Sequence, residues 1–265
     1  MQRIPKHSEI SLIFVIIIGL GLSLVAFFYV KQWEHNQIIE DKKQQADVHV
    51  RSLRQTFTAF ANILYSISGL HHAYDRITRE NFTRFVKHDL LAQPGIQALE
   101  WVPFVPASER QKVERKARSE GIKDFYFWEY TSTGKKQRAA AREAHYPVLF
   151  TEPMAIHENR LGYDLGANEM LKRALEQARD QGQLTASGAV RIHSGHTETL
   201  GFRIFVPVYR SESKPVTVEQ RRQKLVGFAA GVLLFNNMVQ IVLRLPQQKT
   251  KDVFLMIVDE TPSAK

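Results

Sequence analysis

Apolar residues follow two different patterns in the first third of the chain. Over residues 10–30 they are nearly continuous. Only Ser11, Ser23 and two glycines interrupt them, and none of these residues is charged. About 20 residues rising about 1.5 Å each cross a hydrocarbon layer of about 30 Å. The pattern therefore predicts a transmembrane helix over 10–30, with 1–9 as a cytoplasmic tail. A cleaved signal has an apolar core of only about 7–15 residues and a small-residue cleavage site. Here Phe27-Phe-Tyr-Val30 runs straight into Lys31-Gln-Trp33, which favours an uncleaved anchor with Tyr29 and Trp33 at the interface. Arg3 and Lys6 precede the stretch and Lys31, Lys42 and Lys43 follow it, so basic residues do not set its orientation. A short tail before a long C-terminal part fits a signal anchor with the tail inside the cell.

Beyond the span the spacing changes. Ala46, Val50, Leu53, Phe57, Phe60, Leu64 and Ile67, then His71 and Tyr74, recur at alternating steps of four and three, with no Pro or Gly before Gly69. This rhythm predicts a long stalk helix over 31–77. The same stripe serves a coiled coil between two copies or a helix packed on its own domain, and each can hold for a different half. His71 lies on the stripe, so a packed, hydrogen-bonded ring is expected rather than a metal ligand paired with His72.

Helices and strands then alternate. Thr78 is placed to cap a helix carrying Phe82, Phe85, Val86 and Leu90, which Pro94-Gly95 ends. A strand is expected over 96–104. Ser108 and Gln111 have capping-box spacing for the next helix, with Gly121 as its stop. An aromatic strand follows over 125–130, then a polar turn over 132–136 and a strand over 148–150. Asn168 should cap a helix that buries Leu171, Ala174, Leu175 and Ala178 and stops at Gly182. Two adjacent strands are expected over 184–193 and 200–209, turning at Ser194-Gly195. Thr217-Val-Glu-Gln220 is expected to start one helical turn in the charged stretch 210–224.

Residues 225–243 are long enough for a second span. Asn236, Asn237 and Gln240 would each need a partner in lipid, so a buried strand over 225–234 and a short helix over 236–243 fit better. A strand over 253–258 and a polar tail complete the chain. The predicted class is α+β, an antiparallel sheet with helices on one face, hung on a long helix.

Composition narrows the chemistry. The chain has 265 residues, no cysteine and a formal charge of +9 from 36 basic and 27 acidic side chains. Without cysteine there is no disulfide framework, thiolate site or thiol nucleophile. The basic excess fits a solvated surface rather than nucleic acid. No basic stripe is interleaved with aromatics, and Glu114-Arg-Lys-Ala-Arg118 mixes signs. His157-Glu158 begins a zinc-protease pattern, but Leu161 stands where its second histidine belongs. His193 and His196 flank a turn with no carboxylate cluster beside them, and a surface turn is expected there. Neither a nucleophile elbow, a phosphate loop nor a dinucleotide glycine fingerprint is present. No enzyme activity, cofactor or metal is expected.

Other residues stand in a familiar order. They are Trp101-Val-Pro with Arg110, Gly121 and Phe125; Tyr146-Pro-Val; Glu152-Pro153; Leu161-Gly-Tyr-Asp-Leu165; Arg173-Ala174; Ala178-Arg-Asp180 with Gly182; Leu184-Thr-Ala-Ser-Gly188; Pro207-Val-Tyr209; Thr217-Val-Glu219; and Arg221, Gly227 and Phe235. Over about 85–243 the chain resembles the CHASE domain, the extracytoplasmic sensor module of cytokinin receptors and many bacterial receptors. The resemblance implies a stalk helix followed by tandem PAS-like α/β modules. The membrane-distal one, over 78–210, would hold the ligand, and 211–265 with part of the stalk would form the proximal one. It also implies homodimers in the inner membrane with the C-terminal part in the periplasm. A second span and an output domain would follow: a histidine kinase, a nucleotide cyclase or a cyclic-di-GMP enzyme. The chain reaches Lys265 before either, so a sensor fragment or a truncated protein is expected.

In plant cytokinin receptors an aspartate just beyond the strand matching Tyr146–Phe150 bonds the adenine ring. Pro153 occupies that place here and can neither donate nor accept in the same way. Glu152 beside it should point to the opposite face. Thr185 matches a ligand-holding threonine of the family. The candidate site for a small organic ligand therefore comprises Tyr146, Phe150, Val190 and Phe202 as walls and Thr185 and Arg191 as polar contacts. Glu152 and Pro153 are included among its ligand-binding candidates. For the four apolar residues ordinary core packing is the competing assignment, and Thr185 is as well suited to satisfying its own backbone. Three functions remain open at this point: a sensory receptor domain, an anchored periplasmic module that binds proteins, and a hydrolase.

Overall fold

The computed structural model describes residues 6–73, 77–93, 95–194, 197–210 and 215–237. The chain divides into two units, Met1–Ser52 and Leu53–Lys265. Helix α1, Lys6–Ala73, begins in the first. Among the described residues no helix is long and apolar enough to cross a membrane. Of the span expected over 10–30, side chains are described for 17–30. Every large apolar one there, from Ile17 to Val30, is exposed, as is Trp33.

In the second unit α1 is followed by α2 (Arg79–Ala92) and strands β1 (Ile96–Pro103) and β2 (Val105–Pro106). Then come α3 (Arg110–Ser119), β3 (Trp128–Tyr130), β4 (Lys136–Arg138), β5 (Ala144–His145) and β6 (Phe150–Glu152). The remainder is α4 (Met154–His157), α5 (Glu169–Gln181), β7 (Thr185–Ala186), β8 (Val190–Ser194), β9 (Thr197–Tyr209), α6 (Val218–Lys224) and β10 (Leu225–Leu234). The main sheet is antiparallel in the order β6-β1-β10-β9-β7, with β8 also paired to β9. β10 thus lies between β1 and β9, and the boundary expected at 210/211 does not divide the sheet. The expected helix over 236–243, strand over 253–258 and turn at 194–195 extend outside the described residues.

Alternation along the strands assigns side chains to two faces. Leu99 and Trp101 of β1, with Phe202, Ile204, Val206 and Val208 of β9, meet Phe60, Leu64 and Ile67 of α1 and Phe82 and Val86 of α2. The later part of the stripe therefore packs on its own domain. Val50 is exposed, and His71 stacks on Trp101 with ring centroids 3.5 Å apart. Phe85, expected inward, is 36% exposed because it lies beyond the face that Phe82 and Val86 bury. Gly231 of β10 makes room for α1: a Cβ added there would lie 2.0 Å from Phe60 Cζ.

The opposite face carries Val102, Phe205, Phe228, Val232 and Leu234 against Leu171, Ala174, Leu175 and Ala178 of α5. Helices thus cover both faces, where one was expected. The side chains of Thr78, Asn168 and Thr217 cap α2, α5 and α6, and Gly182 closes α5 in the left-handed region at φ +66°. α6 is longer than the one turn expected.

Several local expectations change; the strand expected over 184–193 splits into β7 and β8, and its partner starts at Thr197. A short 3₁₀ turn, Ala107–Glu109, absorbs Ser108, so α3 starts one residue after it without a side-chain cap. The aromatic strand shrinks to β3, because Phe125 and Phe127 fill a small core with Val105, Ala117 and Leu161 instead of joining a ladder. Glu114 turns inward from α3, where it accepts from the Phe127 backbone N–H at 2.9 Å and from Arg110 Nε at 3.1 Å. The strand expected over 148–150 pairs as Phe150–Glu152.

Candidate functional site

On the α5 side of the sheet lies a cavity of about 530 Å³. β3 and the turn after it form one wall, β8 and the first turn of α5 another, and Arg160, Tyr163 and Arg203 complete the lining. Glycine fixes the corner between these walls. Gly162 has φ +81°, and a Cβ there would lie 2.2 Å from the Tyr126 carbonyl oxygen. The chain can therefore pass close under β3. The Trp128 N–H donates to the Gly162 carbonyl at 2.9 Å, and the Asp164 N–H to the Trp128 carbonyl at 2.8 Å. The Trp128 indole donates to the Leu161 carbonyl at 2.8 Å.

The aspartate two residues beyond Gly162 is structural. Asp164 is fully buried and accepts from the backbone N–H groups of Tyr146 at 2.8 Å and Gly166 at 3.1 Å. Its other oxygen is 2.7 Å from His145 Nδ1 and 3.5 Å from Arg142 Nη1. One carboxylate thereby ties the stretch 142–146 to its own turn behind the cavity, which accounts for an aspartate in an otherwise apolar stretch.

Three rings form the aromatic wall. Trp128 lies 4.9 Å from Tyr163 and 5.1 Å from Tyr130, and the two tyrosines are 5.6 Å apart. Lys136 Nζ sits 4.4 Å from the centroid of the Trp128 ring. Burial raises the Tyr163 phenol above its ordinary pKa, and the Arg203 charge opposes this.

The floor is charged. Glu100 of β1 and Arg203 of β9 point from the same face, flanking β10, where they are registered opposite Ala230 and Val232. Arg203 Nη1 donates to Glu100 Oε2. Arg160 Nη2 approaches Glu100 Oε1 to 2.6 Å, out of line for a hydrogen bond. All three side chains are buried. Burial, and then the Arg203 charge, push Arg160 down to about 10, with Glu100 opposing; the guanidinium stays protonated at neutral pH.

Of the residues named from sequence, Val190 and Arg191 line this cavity. Tyr146 faces the same side but packs behind it, with ring centroids 5.8 Å from Phe104 and 6.0 Å from Phe228. Phe150 and Phe202 lie on the opposite face, against Phe82 and Phe57. Glu152 accepts from the Thr83 hydroxyl and from the Met154 N–H at 3.2 Å, and Pro153 follows it through a cis peptide bond. Thr185 is buried on β7, its hydroxyl 3.4 Å from the Gln183 carbonyl oxygen. The cavity instead gathers Trp128, Tyr130, Arg160, Tyr163 and Arg203, none of which stood out as a candidate from sequence. A usable signal was there: Glu100 and Arg203 are charges set inside apolar strands.

Among the described residues no three His, Asp or Glu side chains converge as a metal site. The cavity offers recognition groups: ring faces, phenols and guanidinium N–H donors.

Residues 75–265 match the CHASE domain family. The chain is 25% identical over 254 residues to hybrid signal transduction histidine kinase A of Dictyostelium discoideum, an alignment that takes in 93% of this chain. The chain spans 12% of the length of that kinase. Solved structures similar to it include the periplasmic sensory domain of the Campylobacter jejuni chemoreceptor Tlp1, at a TM-score of 0.43 and 11% identity, covering 78% of this chain and 62% of that one. A structure described as methyl-accepting chemotaxis protein X gives a TM-score of 0.34 at 11% identity, covering 73% of this chain and 64% of that one.

Proposed function

Because the chain belongs to the CHASE domain family, an extracytoplasmic sensor family, we propose that it is the small-molecule-sensing part of a transmembrane signalling receptor. The observation that carries this is the cavity on the α5 side of the sheet, about 530 Å³ in volume and lined by Trp128, Tyr130, Tyr163 and two buried arginines. That volume falls within the range of small-molecule sites, about 300–1,000 Å³, and its mixture of rings with a few polar groups suits a small organic ligand.

The remaining features form one scheme. The exposed apolar side chains of 17–30 suit lipid, so residues 10–30 anchor the chain in the inner membrane. The stripe ahead of Phe57 pairs two copies, and the sensor lies in the periplasm. The strand order, with β10 at its centre between β1 and β9, supports a PAS-like module. Ligand binding favours one of two dimer states, and α1 carries the difference toward an output domain outside this sequence.

Thermal unfolding of the full chain in detergent, scanned against a metabolite library, tests the sensing role. A ligand at about 100 times its Kd stabilises the folded state by about 2.7 kcal/mol. A reproducible rise in Tm with one chemical group of compounds, lost in Val190→Trp, is expected. A library without any stabilising compound would refute the sensing role.

A further inference from the structure

Building on that sensing role, we propose that the cavity accepts a small organic monocarboxylate, its carboxylate on Arg160 and Arg203 and its body against Trp128, Tyr130 and Tyr163.

The argument begins with a charge count. Glu100, Arg160 and Arg203 are 0%, 5% and 3% exposed. Two cations share one anion, so the floor of the cavity carries one positive charge in excess. A buried charge without a counter-ion is strongly disfavoured. The hydrogen bonds leave the same remainder. Arg203 spends Nη1 on Glu100. Among the described residues, Arg160 Nη1 and Arg203 Nε are buried without a hydrogen-bond acceptor, while Arg160 Nη2 and Glu100 Oε1 face each other as an ion pair at 2.6 Å. Buried guanidinium donors are normally satisfied, and here both arginines line the void.

These groups also select the class of ligand. A carboxylate supplies one negative charge and two coplanar acceptor oxygens, which match a guanidinium fork. A cation would meet two arginines, with Lys136 close by on Trp128. A neutral amide offers one acceptor and leaves the charge uncompensated. The three rings beside the floor provide apolar area for an aromatic or branched aliphatic body.

Titration calorimetry and thermal unfolding of the full chain in detergent test this with benzoate, phenylacetate and 4-methylpentanoate, their three amides, and inorganic phosphate. At least one acid should bind and raise Tm, with its amide weaker by about 10-fold or more. Arg160→Met and Arg203→Met should each weaken that acid by about 10- to 100-fold, and each leaves Glu100 one arginine. Glu100→Gln removes the internal anion, so it should tighten acid binding and make Tm depend more steeply on the acid. A purely structural ion cluster would give no such gain. If the arginine variants fail to fold, the acid–amide comparison and Glu100→Gln decide.

Amides binding as tightly as acids, arginine variants binding normally, or phosphate outbinding every acid would each overturn the proposal. So would binding of neutral library compounds alone, which would leave the sensing role intact. A chain that ignores the acids and the whole library overturns both.

Discussion

His157 is fully buried, with Nε2 3.1 Å from the Gln97 carbonyl oxygen. Burial, and then the charge of Arg160, hold its pKa below the ordinary imidazole value, with Glu100 opposing. The folded ring is therefore neutral where the unfolded one, titrating near about 6.5, takes up a proton. The unfolded state binds more protons as the pH falls, so this contribution is complete above about pH 7 and is lost on acidification. Urea unfolding should show stability falling between pH 7 and 5, with a contribution from this residue of at most about 1.4 kcal/mol per pH unit. His157→Gln should flatten that slope, and an unchanged slope would assign the acid sensitivity elsewhere. At this scale the sequence was only partly legible. Glu100 and Arg203 are visible as charges within apolar strands, but they lie 103 positions apart, and only the sheet register brings them together. Val190 and Arg191 are neighbours on β8, so strand alternation accounts for only one of them turning to the cavity face. Phe150 and Phe202 could not be excluded by the same logic, because both faces of this sheet are covered by helices and look alike in sequence.

Elements whose signals are local read cleanly. Thr78, Asn168 and Thr217 each accept from a backbone N–H three residues on, which is a property of the cap and its own helix. β10 reads as a strand because its apolar run is bounded by a charged stretch and a pair of asparagines. The start of α3 and the extent of β3 depended on tertiary packing: the inward turn of Glu114 and the burial of Phe125 and Phe127. The contact of α1 with β10 is likewise tertiary, and it makes a sharp prediction. Gly231→Ala places a methyl against the buried Phe60 ring, so it should destabilise the fold by about 1–3 kcal/mol. Chemical denaturation measures this. Partial recovery in the double variant with Phe60→Leu would identify the ring as the obstacle, and an unchanged midpoint in Gly231→Ala would rule the contact out.

For the whole molecule, the proposed scheme predicts a ligand-dependent change between copies. Spin labels at position 31 of the full chain in lipid bilayers should give a defined spacing between two protomers. That spacing should shift with any compound that raises Tm and stay fixed in Val190→Trp, whose indole intrudes on the cavity. A spacing that responds equally in both chains would remove the cavity from the signalling path. The geometry also explains how a small guest could matter at long range. The strand that separates Glu100 from Arg203 on one side receives Phe60 on the other. Cavity and helix thus share a single thickness of peptide backbone, with no soft layer between them to absorb a push. In the proposed scheme a tilt of β10 therefore acts on α1 directly at Phe60.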